Sequence, residues 1–398
     1  MHKPLESLEN CDFMDPMNLL QLADDTTVLA ETIPSFRNKM KSVQTYSKDK
    51  DMSIHPSKSK YLHLTNGIPI KDDIVIDGKM RMQPIDEKGY NWLGFWLSQF
   101  NSVPEILKFH FKMKMVHIGS FYSWLDVNRD TPIKIKLQVL YGCMFQAMLY
   151  SIEAWGDIDF LSDDLRKIEK KALKSCLGVK LSTPDDIVYQ ELDIPDIVAT
   201  IKDRQLNFME NFMELAEDSA VAKNIWNLYC YEMSRLDCSS FYEYYSTLQN
   251  DEKARNMSER TTRLQNSTQS RATTYRELTK LQYCNSLYST FLMERHRITI
   301  TRWRLSCHQL KIETARYKRP KPPREERKCS MCHVLEDENH ALFLCRAHEW
   351  IRFQHRQTLE KYTNVTDILH PKSVEDANAI AKYLKDIEDN MAKLNMLK

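Results

Sequence analysis

The stretch Asn18-Leu19-Leu20-Gln21-Leu22-Ala23-Asp24-Asp25-Thr26-Thr27-Val28-Leu29-Ala30 sets two adjacent carboxylates between two short apolar runs. Runs of that length on either side of a polar turn predict a β-hairpin with acids at its tip. Neighbouring side chains on a strand point to opposite faces, and two carboxylates held close repel each other unless water or a cation lies between them. A divalent metal and a solvated turn both meet that condition, so the residues that follow decide between them.

Outward from the hairpin, Phe36, Met40 and Val43 recur at helical spacing, and Pro34 suits a first turn, which predicts a helix over Pro34 to Tyr46. His55-Pro56-Ser57-Lys58-Ser59 is a basic turn leading into an alternating strand, Tyr61-Leu62-His63-Leu64-Thr65, and it places Lys58 where it could reach back toward the acids. Asp77-Gly78 between Ile74-Val75-Ile76 and Met80-Arg81-Met82 is the strongest short-range hairpin signal in the chain. Tyr90 to Leu97 predicts one more strand.

In that order these elements resemble the second half of a reverse transcriptase palm, of the non-LTR (LINE-type) retrotransposon branch. The resemblance implies that Asp24 and Asp25 are two of three carboxylates that bind Mg²⁺, with Leu22 in place of the family's aromatic. It also implies that Lys58 matches the lysine of the family's Asn-Pro-x-Lys-Thr stretch, and that Leu93 and Gly94 lie in the primer grip. The family's chemistry uses two metal ions to activate a primer hydroxyl and stabilise the leaving pyrophosphate, hence several convergent carboxylates. The family's first catalytic Asp and its fingers lie well upstream of the Ala-Asp-Asp hairpin, and Asp12 and Asp15 do not sit in an apolar strand pattern. The expectation is therefore that this chain alone does not synthesise DNA.

Composition fits a helix-rich globular protein. The 398 residues hold only 8 Gly and 14 Pro against 42% hydrophobic residues, and the formal net charge of +1 names no partner. Ten Cys at irregular spacing read as thiols of an intracellular protein, in nucleus or cytoplasm, and Met1-His2-Lys3-Pro4 opens no targeting segment. The most apolar window, Leu137 to Gly156, is interrupted by Gln138, Gln146 and Glu153, which predicts a buried helix and no membrane span.

Helical periodicity runs from Pro132 to Trp155 and from Leu161 to Cys176, with Gly178 as C-cap and Thr183-Pro184-Asp185-Asp186 opening the next helix. Further helices are expected over Ile201 to Leu215, with Phe208 and Phe212 facing the core, and over Ala220 to Leu236. Asn250 to Thr274 is polar and reads as a boundary or surface segment. Val374 to Leu397, with Ala377, Ala381, Leu384, Ile387 and Met391 on one face, predicts a closing amphipathic helix.

Arg295 to Lys328 carries 12 Lys or Arg against three Glu, a local charge of +9. Such a concentration is the footprint of phosphate contact, although a solvated face has the same composition. Arg295, Arg297, Arg302, Arg304, Arg316, Lys318, Arg319, Arg324 and Arg327 are the candidate contacts, with Trp303, His308 and Tyr317 placed among them for base stacking. Cys329, Cys332, His340 and Cys345 follow as C-x2-C-x7-H-x4-C, a spacing that closes a tetrahedral zinc site. Four protein ligands leave no open position, so Zn²⁺ there is structural, with His333, His348 and His355 as nearby substitutes.

The last segment also resembles the C-terminal part of LINE-type polyproteins with their Cys-Cys-His-Cys knuckle, and the run from Leu140-Tyr141-Gly142 through Ala154-Trp155, Cys176-Leu177-Gly178-Val179 and Ser182-Thr183-Pro184 to Glu191-Leu192 resembles the thumb. The resemblance implies RNA and DNA as partners. The chain is thus expected to be mainly α with an N-terminal α+β remnant of a polymerase palm: palm over 1–100, helical thumb over 101–200, and a helical connector over 201–294. A basic segment over 295–328, a zinc knuckle over 329–360 and a C-terminal helix over 361–398 complete it. The competing reading is a zinc-dependent RNA- or DNA-binding protein with a relic palm.

Overall fold

The computed structural model describes residues 19–22, 25–63, 65, 68–99, 103–154, 158–219, 222–223, 248 and 251–396. It is mostly helical with a small share of sheet. Asp24 and nearly all of the helix expected over Ala220 to Leu236 lie outside those residues. No helix among the described residues is long and apolar enough to cross a membrane. The chain divides into two compact units, one of Met1–Val116, Ala147–Leu161 and Arg204–Asn250, the other of His117–Gln146, Ser162–Asp203 and Asp251–Lys398.

In the first unit β1 (Leu19–Leu22) and β2 (Asp25–Val28) pair antiparallel, Leu19 opposite Val28 and Leu22 opposite Asp25. The helix α1 (Ile33–Asp49) starts where Thr32 accepts a hydrogen bond from the Ser35 amide, and Pro34 fits its first turn. Beyond it β3 (Lys60–Tyr61), β4 (Ile74–Ile76) and β5 (Met80–Pro84) form a sheet in the order β3-β5-β4, with β5 parallel to β3 and antiparallel to β4. Asp77 and Gly78, at φ +50° and +68°, make the β4–β5 turn. Period-two alternation then buries Ile74, Ile76 and Met82 and exposes Val75 and Arg81. Met40 of α1 and Tyr61 complete this core, and Val28 and Phe36 pack against it, which ties the first hairpin to the sheet.

The strand expected over Tyr90 to Leu97 is instead a hairpin of β6 (Tyr90–Trp92) and β7 (Phe95–Leu97). Leu93 and Gly94, both with positive φ, turn the chain between them. The helix α2 (Val103–Lys114) packs on β7. His110 stacks on Phe95 with ring centroids 4.4 Å apart and accepts from the Trp96 amide at 2.9 Å.

The second unit is helical. After α3 (Val116–Val127) comes α4 (Ile133–Val139), which widens into a π-type turn over Leu140–Phe145, so the long helix expected from Pro132 is broken. The next helix, α5 (Asp159–Leu177), ends as expected at Gly178, whose φ of +67° suits a residue without Cβ. A shorter α6 (Asp185–Leu192) follows, and its Thr183 caps nothing: the hydroxyl lies 3.3 Å from the Cys307 sulfur. The long α7 (Ile197–Asp218), which belongs to the first unit from Arg204 onward, leaves Phe208 37% exposed, against the expectation of a core position.

The polar stretch expected as a boundary or surface segment carries α8 (Glu252–Asn266) and the start of α9 (Ser270–Thr279). Leu264, Ala272 and Tyr275 are buried there, and Arg260 lies 5.6 Å over the Tyr189 ring. Finally α10 (Glu294–Arg304) packs along α11 (Val374–Met396). All five apolar positions named for the closing helix are buried on α11.

Candidate metal centre and nucleic-acid surface

Local backbone geometry brings the four ligands together. Lys328 and Leu335 form an antiparallel bridge, and the Cys329 amide donates to the Val334 carbonyl at 2.7 Å. Cys329 and Cys332 thus lie on one tight knuckle. It reverses at His333, whose φ of +58° is left-handed. His340 opens a wide turn, His340–Leu344, with its amide donating to the Asp337 carboxylate at 2.8 Å. The Cys345 amide closes the turn on the His340 carbonyl at 2.7 Å.

One ligand atom from each of Cys329, Cys332, His340 and Cys345 lies within 4.8 Å of the others. The Cys345 sulfur is 3.8 Å from that of Cys329 and 3.9 Å from that of Cys332. Sulfurs bound at about 2.3 Å around a tetrahedral zinc stand about 3.8 Å apart, whereas a disulfide would hold them at about 2.05 Å. The His340 Nε2 is buried without a hydrogen-bond partner, as a nitrogen reserved for a metal would be. Burial lowers the His340 pKa and so favours the neutral imidazole that coordinates metal. Burial pushes the Cys345 thiol up to about 12, a cost that a divalent cation reverses by holding the thiolate. The four residues fit structural zinc.

The knuckle is fastened to the unit around it. The Lys311 ammonium donates to the Lys328 carbonyl at 2.9 Å and to the Ser330 hydroxyl, while the Lys311 amide donates to Glu336 at 2.9 Å. His308 and Glu338 pair at 2.8 Å in a buried setting. From the far side Tyr383 of α11 donates to the Leu342 carbonyl, and Arg352 donates to the Cys345 carbonyl at 2.7 Å. Such outer contacts hold ligands in place. The substitute histidines are otherwise engaged or turned outward: His348 with Asn390 at 2.9 Å, His355 with Asp386 at 2.7 Å, and His333 exposed.

The basic stretch splits into two populations. Arg304 is fully buried and grips Glu191 through Nε and Nη2 at 2.5 and 3.2 Å, and its Nη1 donates to the Leu369 carbonyl. Arg297 donates to the carbonyls of Arg129 and Thr131, and Arg327 to those of Ile312 and Pro322. Arg316 pairs with Glu313 at 2.6 Å. Those four are structural, and Trp303 and His308 are buried as Arg297, Arg304 and Arg327 are. Arg295, Arg302, Lys318, Arg319 and Arg324 remain exposed, beside Lys321, Lys328 and Tyr317.

The acid site assembles less. Asp25 is exposed at the turn end of β2, near enough to Tyr90 to help burial raise that phenol's pKa. Lys58 is exposed in a turn its amide closes on the His55 carbonyl at 3.2 Å. Leu93 and Gly94 occupy a hairpin tip, where the Gly94 amide donates to the Asn91 side chain at 3.0 Å. Among the described residues, the group of three or more metal-binding side chains that converges is the Cys₃His set.

No protein-family model matches this chain, and no curated protein or solved structure matches it either.

Proposed function

We propose that the chain binds RNA or DNA through a zinc-stabilised C-terminal module, and that it corresponds to the late palm, thumb and knuckle of a non-LTR retrotransposon reverse transcriptase. The observation that carries the reading is the convergence of Cys329, Cys332, His340 and Cys345 at zinc-like sulfur spacing, directly after a segment that exposes Lys318, Arg319, Lys321, Arg324 and Lys328. A closed metal site without an open coordination position does no chemistry, so the metal folds the segment that presents the cations. Exposed cations of one sign draw phosphate, and their affinity falls with salt. Purified protein should hold zinc and bind a labelled oligonucleotide. Cys332→Ser should lose both properties, and oligonucleotide binding that survives the loss of zinc would contradict the reading.

A second reading, DNA synthesis, is favoured by the β1–β2 hairpin, which brings Asp25 to its turn end. Two magnesium ions need several convergent carboxylates. Since Asp25 belongs to no such cluster among the described residues, we expect no primer extension by this chain alone. Extension on an RNA template with Mg²⁺ that disappears in Asp25→Asn would reverse that expectation.

A further inference from the structure

Three planar side chains lie one upon another just after the last zinc ligand. The rings of Trp350 and Phe353 stack with centroids 5.5 Å apart and planes 22° from parallel. The Arg356 guanidinium lies 5.1 Å from the centre of the Phe353 ring. They sit three residues apart along the short helices Glu349–Gln354 and Arg356–Leu359, which puts them in one row. Trp350 is 66% exposed and Phe353 56%. Leaving an indole and a phenyl together in water forgoes burial that such rings ordinarily gain, so an exposed aromatic pair points to a partner.

The row is held rigidly to the metal segment. Ile351 is buried beneath it, Arg352 ties it to the Cys345 carbonyl at 2.7 Å, and Asn390 of α11 donates to the Ala347 carbonyl at 2.9 Å. The stretch 346–356 carries Arg346, Arg352 and Arg356 against Glu349, and Asp386 of α11 is drawn onto His355 at 2.7 Å.

Resting on the nucleic-acid reading above, we propose that Trp350, Phe353 and Arg356 form a stacking platform for unpaired bases, so that the module takes single-stranded nucleic acid in preference to duplex. Every base has a π-face, and a stack of planar groups capped by guanidinium at one end is extended by a base at the other. The indole is that other end. In a duplex the bases are already stacked on each other, and only the phosphates are offered. Arg346 and Arg356, exposed in the same stretch, complement phosphate, which an apolar protein surface would not supply. The platform also supplies the stacking that Trp303 and His308, both buried, do not.

The test uses the zinc-loaded full chain, a labelled single-stranded oligothymidine and a blunt duplex of equal length. Trp350→Ala and Phe353→Ala should each weaken the single strand about tenfold or more. Zinc content, duplex affinity and the slope of affinity against salt should stay as they were, and Trp350→Tyr should recover most of the loss. If Trp350→Ala binds the single strand normally while Lys318→Ala plus Arg324→Ala weakens it, the platform is wrong and the nucleic-acid reading stands. If the unaltered protein binds neither probe, both fall. A Trp350→Ala protein that loses self-association in sedimentation, with unchanged oligonucleotide affinity, assigns the face to a second copy and overturns the proposal.

Discussion

Arg304 and Glu191, 113 residues apart in sequence and fully buried, show how a basic stretch misleads at the scale of one residue. In sequence the guanidinium looks ready for phosphate, and only folding reveals that a carboxylate accepts it together with hydroxyl hydrogen bonds from Tyr275 and Tyr288. Removing one partner strands the other as a buried charge, so Arg304→Met should cost about 3–5 kcal/mol in urea denaturation. Lys318→Ala, on the exposed side, should stay within about 0.5 kcal/mol. Glu169 offers a pH test. Burial raises its carboxyl from 4.5 to about 7, against hydrogen bonds from Tyr141, Tyr189 and the Ile197 amide that favour the charged form. The folded state therefore keeps a proton that the unfolded state has lost. Its contribution is full below pH 4.5 and declines as the pH rises to about 7. Replacement by Gln should flatten that part of the stability profile. At Gly178 a Cβ would lie 2.4 Å from Ile298 on a left-handed backbone, so Gly178→Ala should lower stability by about 1 kcal/mol or more.

Elements with one clean periodicity were legible in the sequence, and those built on distant polar partners were not. Five apolar positions at helical spacing announced α11, and Asp77-Gly78 announced the β4–β5 turn, because in both cases the signal is local. The stretch 250–274 read as a boundary or surface segment since its apolar stripe is thin, yet α8 and α9 form around Leu264, Ala272 and a guanidinium lying over Tyr189. Tyr90 to Leu97 read as one strand because alternation does not show that Leu93 and Gly94 adopt positive φ. The ligand spacing of the knuckle was fully legible, but its attachment was not. With Tyr383 of α11 donating to the Leu342 carbonyl inside the metal segment, Tyr383→Phe should cost about 1 kcal/mol and bring zinc release forward in a chelator time course.

For the whole molecule, a formal charge of +1 conceals a local concentration of cations, part of which folding draws inward. What stays outside includes Lys318, Arg319, Lys321, Arg324 and Lys328, in the stretch that leads directly into the metal segment. The first unit holds the β1–β2 hairpin with Asp25 at its turn end, the helix α1 and a small sheet in the order expected from the sequence. We place the functional weight on the other end, where four potential ligands meet. The most direct measurement is single-strand oligonucleotide affinity in parallel with zinc content, before chelation, after it, and after zinc is restored. Affinity should be lost with the metal and return with it. A chain that carries no zinc as purified, or that binds equally well without it, would rule out a zinc-stabilised binding module.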